Sequence, residues 1–401
     1  MRRIMLEKLK QHLPKKEFTI LTGARQTGKS TLLKELERHC KEEGISVTFL
    51  NFEFKNILAD LDENPLNLLN YLPQSDGRKV VLVDEVQYLK DPTNFLKLIY
   101  DEHAADIKIV ATGSSAFYMD SRFEDSLAGR KKLFTLLTCS FDEYLALLGK
   151  DDLLAEKNRI IQNPKAKSLK INYLKAEWDN YMIYGGYPAV ITETDLTEKV
   201  ARLRELRDSF VKRDILEAGV QNETVFYQLF RIIAAQAGSL INVNELSTIL
   251  KVRSETITNY LEVMQKCFHI SLVKPFYKNL RKELVKMPKA FVLDTGLRNC
   301  LINNFQPIQT RLDKGELWEN MNFKLLAEKH DFDDIKFWRT ADGNEVDFVL
   351  PEVDAPFAIE AKFDEAQIKP NKYQKFKEAY PEIDFKFSWY NSFDEGFFRR
   401  I

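Results

Sequence analysis

Eight residues near the start of the chain, Gly23-Ala24-Arg25-Gln26-Thr27-Gly28-Lys29-Ser30, fit the phosphate-cradling pattern GxxxxGK[ST] without a mismatch. Gly23 and Gly28 can take backbone angles closed to other residues, so the N–H groups between them can turn inward around a β-phosphate. Lys29 brings a point charge to the β and γ oxygens, and the Ser30 hydroxyl, followed by Thr31, offers an oxygen ligand to Mg²⁺. A helix starting here would add the positive end of its dipole. The far side of the metal needs a carboxylate, and Val80-Val81-Leu82-Val83-Asp84-Glu85 supplies one. Asp84 falls at the carboxyl end of a buried strand, where open α/β sheets bind ligands, and would hold Mg²⁺ through water. Glu85 is placed to polarise the attacking water. A GTPase commonly uses Gln there, so the acid favours ATP.

Two further places could serve the same chemistry. Thr112-Gly113-Ser114-Ser115 ends a strand, where a hydroxyl could sense the γ-phosphate or cap a helix. Arg130, in Leu127-Ala128-Gly129-Arg130, could neutralise transition-state charge as an arginine finger, in cis or from a neighbouring subunit.

A second group of acids lies near the other end. Asp347 closes Glu345-Val346-Asp347, and Glu360-Ala361-Lys362 follows thirteen residues later. Strand side chains alternate, so Glu360 and Lys362 share a face, with Ile359 and Ala361 turned to the core. Two carboxylates and an ammonium on adjacent strands suit phosphodiester hydrolysis, with Asp347 and Glu360 as metal ligands, Lys362 beside them and Glu319 as a fourth member. The structural alternative is a surface ion pair on a retained fold.

These groups need elements to hold them. EFTILTG (17–23), ISVTFLNFE (45–53), KVVLVDEVQ (79–87) and IKIVATGSS (107–115) read as strands, with helical spacing between them, which implies a parallel sheet with helices on both faces. Residues 141–220 are helical and charged, interrupted by YGGYPAV (184–190). From 221 to 285 come a helix, two shorter helices separated at VRS, and a strand–turn–strand, the order of a winged helix-turn-helix. Its segment 250–290 carries nine basic residues (Lys251, Arg253, Lys266, Lys274, Lys278, Arg281, Lys282, Lys286, Lys289) against three acids. Thr256, Thr258 and Asn259 on the second helix could enter a DNA groove while Lys278, Arg281 and Lys282 meet phosphates. Winged helices also serve as protein-interaction modules, and a solvated basic face explains the charge equally well.

The 401 residues carry 59 basic and 60 acidic side chains, a net charge of −1, so a chain-wide nucleic-acid field is excluded and only a local one remains. With 44% hydrophobic residues, two or three cores are expected and disorder is excluded. No apolar run spans a bilayer, the N-terminus lacks a signal-peptide pattern, and four scattered cysteines suggest reduced thiols, so a cytoplasmic protein is expected.

The strings GARQTGKSTLL, VVLVDEVQ, IVATGSSA, LAGR, SFDEYL, YGGYP, KRDI, FVLDTGL, GELWEN and EVDFVL…IEAK occur in this order. Together they resemble an uncharacterised prokaryotic family of AAA+-type P-loop ATPases with a restriction-endonuclease-like C-terminal domain. The resemblance implies an α/β ATPase domain over 1–145, a helical lid over 146–220, a winged helix over 221–288 and a smaller PD-(D/E)XK-like α/β domain over 289–401. It maps the polar residue after the fourth strand to Ser114. Two functions follow as expectations: an ATP-driven machine acting on DNA, or a nucleotide-dependent switch working through protein or oligomer contacts.

Overall fold

The computed structural model describes residues 3–74, 76–113, 127–163, 165, 167–277, 286–340, 342–391, 393 and 396–400. The chain divides into two compact units, residues 1–139 with 266–268, and residues 140–265 with 269–401.

The first unit is built on five strands: β1 (Phe18–Thr22), β2 (Val47–Asn51), β3 (Lys79–Asp84), β4 (Ile107–Thr112) and β5 (Lys131–Thr135). Every pairing is parallel and the order is β2-β3-β4-β1-β5. The apolar runs of β3 and β4 are long because both faces are covered. Val81, Val83, Ile109 and Ala111 belong to one core with Phe18, Phe95 and Ile99, whereas Val80, Leu82 and Val110 join Leu21, Leu32 and Leu36 in another. A fully buried side chain of this size contributes about 1.5–3 kcal/mol. The expected strands are all present. β5 was not anticipated: as an edge strand it keeps Lys132 and Leu133 exposed and has no apolar run to betray it.

The second unit begins with helices Phe141–Leu147, Asp151–Gln162, Ile171–Tyr184 and Leu196–Glu217, the charged helical region expected there. Several of the short strings are structural devices. In SFDEYL, Ser140 and Glu143 form a capping box, each side chain accepting from the other's backbone N–H at 3.3 and 3.0 Å. In FVLDTGL, Asp294 caps helix Thr295–Leu301 by accepting from Leu297 N at 3.0 Å, and its other oxygen accepts from Gly186 N of YGGYP at 2.8 Å. Gly185 sits at φ 77° where a Cβ would lie 2.1 Å from Asp294 Oδ1, so only glycine fits this turn.

Helices Glu223–Ala235, Val243–Leu250 and Ser254–Lys266 follow and share one core with Leu203, Ile270 and Val292. The chain then enters a six-stranded sheet in the order β11-β10-β9-β8-β6-β7. Its strands are β6 (Ile270–Pro275), β7 (Lys289–Val292), β8 (Lys336–Arg339), β9 (Glu345–Leu350), β10 (Phe357–Lys362) and β11 (Asp384–Trp389). The first part of β6 pairs antiparallel with β7, and its last two residues pair parallel with β8. The domain boundary expected at 288/289 therefore falls within one hydrogen-bonded sheet. Among the described residues no helix is long and apolar enough to cross a membrane. None of the four cysteines is in a disulfide.

Candidate nucleotide site and a second charged pocket

The phosphate loop leaves β1 at Thr22 and enters helix Lys29–Glu42. Gly23, Gln26 and Gly28 all have positive φ (141°, 58° and 96°), which turns successive amides toward one side. Gly23 has a second reason to be glycine, because a Cβ there would stand 2.1 Å from Leu136 O. Gly23→Ala is thus expected to cost on the order of 1–3 kcal/mol in backbone strain alone. Thermal melting would show the loss, and an unchanged melting temperature would contradict this account of the loop.

Lys29 is buried, and its Nζ donates to Gly23 O at 2.8 Å and Ala24 O at 2.9 Å. The ammonium thus lies across the loop it serves. Thr27 fixes the same turn by donating to Ala24 O at 2.9 Å. Ser30 is half-buried in the first turn of the helix, with Thr31 exposed next to it, while Arg25 is half-buried and Gln26 exposed.

Asp84 and Glu85 end β3 as expected. Because β4 lies between β1 and β3, Asp84 stands two strand spacings from the phosphate loop, about 10 Å. Thr112, at the end of β4, occupies the gap. Its hydroxyl donates to Asp84 Oδ1 and accepts from Glu85 N at 3.1 Å. Glu85 takes left-handed backbone angles (φ 60°, ψ 51°), and its carboxylate accepts from Gln87 Nε2. A non-glycine residue held at positive φ beside a ligand-binding edge is strain of the kind that functional sites store. Ser30 and Asp84 are hard oxygen donors, so these residues fit Mg²⁺. A bound Mg²⁺ would supply charge neutralisation between β- and γ-phosphate oxygens.

Ser114 lies outside the described residues; among the described residues the hydroxyl that reaches the acids is that of Thr112. Arg130 is at the wrong end of the sheet for a cis finger. Its carbonyl accepts from Phe18 N at 2.9 Å, where β1 begins, while the phosphate loop follows Thr22, about 16 Å further along the strand. Its guanidinium is committed to Asp101, at 2.7 Å from Nε and 3.2 Å from Nη2, and this pairing holds the Asp101 carboxyl below its usual range. Only a role toward a neighbouring copy is left to it.

Sequence reasoning also missed Arg3. This buried guanidinium donates to Thr27 O of the loop at 3.5 Å, and to Leu137 O and Cys139 Sγ at 2.5 and 2.8 Å. It braces the loop against the segment after β5. No sequence pattern marks it.

In the second unit the expected carboxylates do converge. The antiparallel register of β9 and β10 pairs Ile359 with Phe348, and continued one step it sets Glu360 opposite Asp347. Asp347 Oδ2 accepts from Ala361 N at 2.9 Å and lies 3.8 Å from Lys362 Nζ. Glu360 Oε1 accepts from Tyr373 OH at 2.7 Å and from Lys362. Burial pushes the Glu360 carboxyl up to about 7 and that of Glu319 up to about 8. The inside and outside of β10 differ from expectation: Glu360 is 2% exposed, whereas Ile359 is only half-buried.

The unforeseen member is Lys289. Read from sequence as part of an exposed basic wing, it is buried instead, with Nζ 2.9 Å from Glu319, 2.7 Å from Glu345 and 3.5 Å from Asp347. Burial works against this ammonium, but the three carboxylates outweigh it and keep its pKa above the usual range. The acids that a nuclease-type metal would need already serve two lysines and a backbone amide. A divalent ion does not fit among them as they stand.

The helix pair 243–266 turns through Lys251 (φ 54°), Val252 and Arg253. Ser254 Oγ donates to Asn244 Oδ1 at 3.0 Å, tying the two helices together. Lys251, Arg253, Thr258, Asn259 and Lys266 are exposed, as are Lys274 and Lys286, while Thr256 is half-buried. Lys278, Arg281 and Lys282 lie outside the described residues.

Comparison with known proteins assigns three stretches. Residues 15–145 match the family model described as AAA domain. Residues 175–307 and 314–394 match two models described as domains of unknown function (DUF8612 and DUF4143). An uncharacterized protein of Haemophilus influenzae is 24% identical over 357 residues, 86% of this chain and 82% of that one. One of Mycobacterium tuberculosis is 23% identical over 365 residues (90% and 74%), and one of Methanocaldococcus jannaschii is 23% identical over 339 residues (79% and 70%). Among solved structures, the Aeropyrum pernix ORC1 protein in complex with DNA is 12% identical and covers 74% of this chain and 91% of its own, with a TM-score of 0.32. The replication initiator DnaA bound to AMPPCP and single-stranded DNA is 14% identical over 66% and 88%, with a TM-score of 0.29. Likeness this weak carries no function across. The AAA match and the loop geometry together support an AAA+-type P-loop nucleotide-binding module in residues 15–145.

Proposed function

We propose that the chain binds and hydrolyses ATP with Mg²⁺ in its first unit and uses the nucleotide state to govern DNA binding by the helix pair 243–266. The ATP reading is carried by one arrangement. A loop with positive φ at Gly23, Gln26 and Gly28 and a buried Lys29 faces, across β4, an Asp84–Thr112–Glu85 cluster. Ser30 and Asp84 would hold the metal, Lys29 and the loop amides would hold the phosphates, and Glu85 would orient water. Calorimetry with ATP and Mg²⁺ should give saturable binding; no heat from folded protein would sink the reading.

Support for DNA comes from the exposed Lys251, Arg253, Lys266, Lys274 and Lys286 beside a helix whose outward face offers Thr258 and Asn259. In this reading the C-terminal sheet does not cut, since its acids are held by lysines rather than by a metal. Anisotropy with labelled duplex should show affinity that falls with salt, and removing Lys251 and Arg253 together should lower the salt slope by about 2. Affinity independent of salt would leave the protein-docking reading in its place.

A further inference from the structure

The pocket around Asp347 is organised about a cation, and that cation belongs to the chain. Four carboxylates meet there: Glu319 from helix Lys314–Ala327, Glu345 and Asp347 from β9, and Glu360 from β10. Lys289 reaches in from β7, Lys362 from β10, and Arg339 Nη1 contacts Glu345 Oε2 at 2.9 Å. Counting every acid as ionised, one negative charge is left over. One oxygen, Glu360 Oε2, is buried and has no hydrogen-bond partner.

A divalent ion added to this set would leave it with one net positive charge and set a second cation beside Lys289 against the buried Asp347. The same ion replacing Lys289 would leave it neutral. Burying uncompensated charge is strongly unfavourable, so metal and ammonium compete for one place. Position agrees with charge. Lys289 Nζ stands within 3.5 Å of both Glu319 and Asp347, two of the acids a metal would draw on. Glu319 in turn closes against Gly238 (φ 85°), where a Cβ would come within 2.8 Å of its carboxylate.

We propose that Lys289 is a built-in substitute for a metal ion. Its ammonium holds the position a divalent cation would take, and the pocket accepts Mg²⁺ or Mn²⁺ only when that ammonium is removed. The C-terminal sheet is then a metal-independent fold that keeps the acids of a hydrolytic centre around an internal counter-ion.

The test uses the full chain without nucleotide and Mn²⁺ alone as the probe, with bound metal counted by equilibrium dialysis. Wild type and Asp347→Asn should bind equal Mn²⁺. Lys289→Ala should bind a single additional equivalent, which disappears when Asp347→Asn is added. Mn²⁺ should also raise the melting temperature of Lys289→Ala relative to the paired variant. Wild-type binding that Asp347→Asn removes would overturn the proposal, as would a folded Lys289→Ala chain with no additional Mn²⁺. Should Lys289→Ala not fold, Lys289→Met keeps the stem that fills the site, and the comparison of wild type with Asp347→Asn stands without either.

Discussion

Lys29→Ala is expected to cut ATP turnover by about a hundredfold to a thousandfold, the range seen when one preorganised donor is removed from developing charge. Two losses combine. The β/γ oxygens lose their ammonium, and the loop loses the bonds from Nζ to Gly23 O and Ala24 O that hold it closed. The helix Lys29–Glu42 keeps its buried Leu32, Leu33 and Leu36, so circular dichroism should stay unchanged. Steady-state hydrolysis with a coupled assay checks the first point. Turnover equal to wild type would place hydrolysis elsewhere.

Glu85→Gln should behave differently, with ATP still bound and turnover down about 10²–10⁴-fold, the usual contribution of a positioned general base. The amide keeps the length of the side chain, and the backbone N–H to Thr112 does not depend on it. What is lost is the charge that draws a proton from water. A single-turnover experiment should therefore find bound ATP persisting, whereas rapid hydrolysis would mean that another group activates water.

Much of the first unit was legible because its signals are local. Eight consecutive residues specify the loop, and uninterrupted apolar runs mark strands covered on both faces. The edge strand β5 left no such mark. Asp84 and Glu85 were readable as acids at a strand end, but Thr112 was not readable as their link. That link exists only because β4 inserts between β1 and β3, a consequence of strand order rather than of any segment.

The second pocket shows the same limit more sharply. Asp347, Glu360 and Lys362 could be grouped from spacing and alternation, with Glu319 as a fourth member. Lys289 looked like one more basic residue of a wing. Its sequence neighbours, Lys286 and Met287, are indeed exposed, and nothing in composition separates it from them. Its burial follows from β7 joining the six-stranded sheet. Arg130 is the opposite case, a residue type suited to catalysis whose pairing with Asp101 at the far end of β1 argues against the cis role alone.

The shared strand β6 ties the helix pair 243–266 to the C-terminal sheet mechanically. The helix pair leads directly into a strand that is bonded on one stretch to β7 and on the next to β8, so any torque on those helices reaches the C-terminal sheet through hydrogen bonds rather than through a slack tether. A chain cut after Pro288 would separate β6 from both of its sheet neighbours, β7 and β8, so the segments on either side of that point belong to one folding unit.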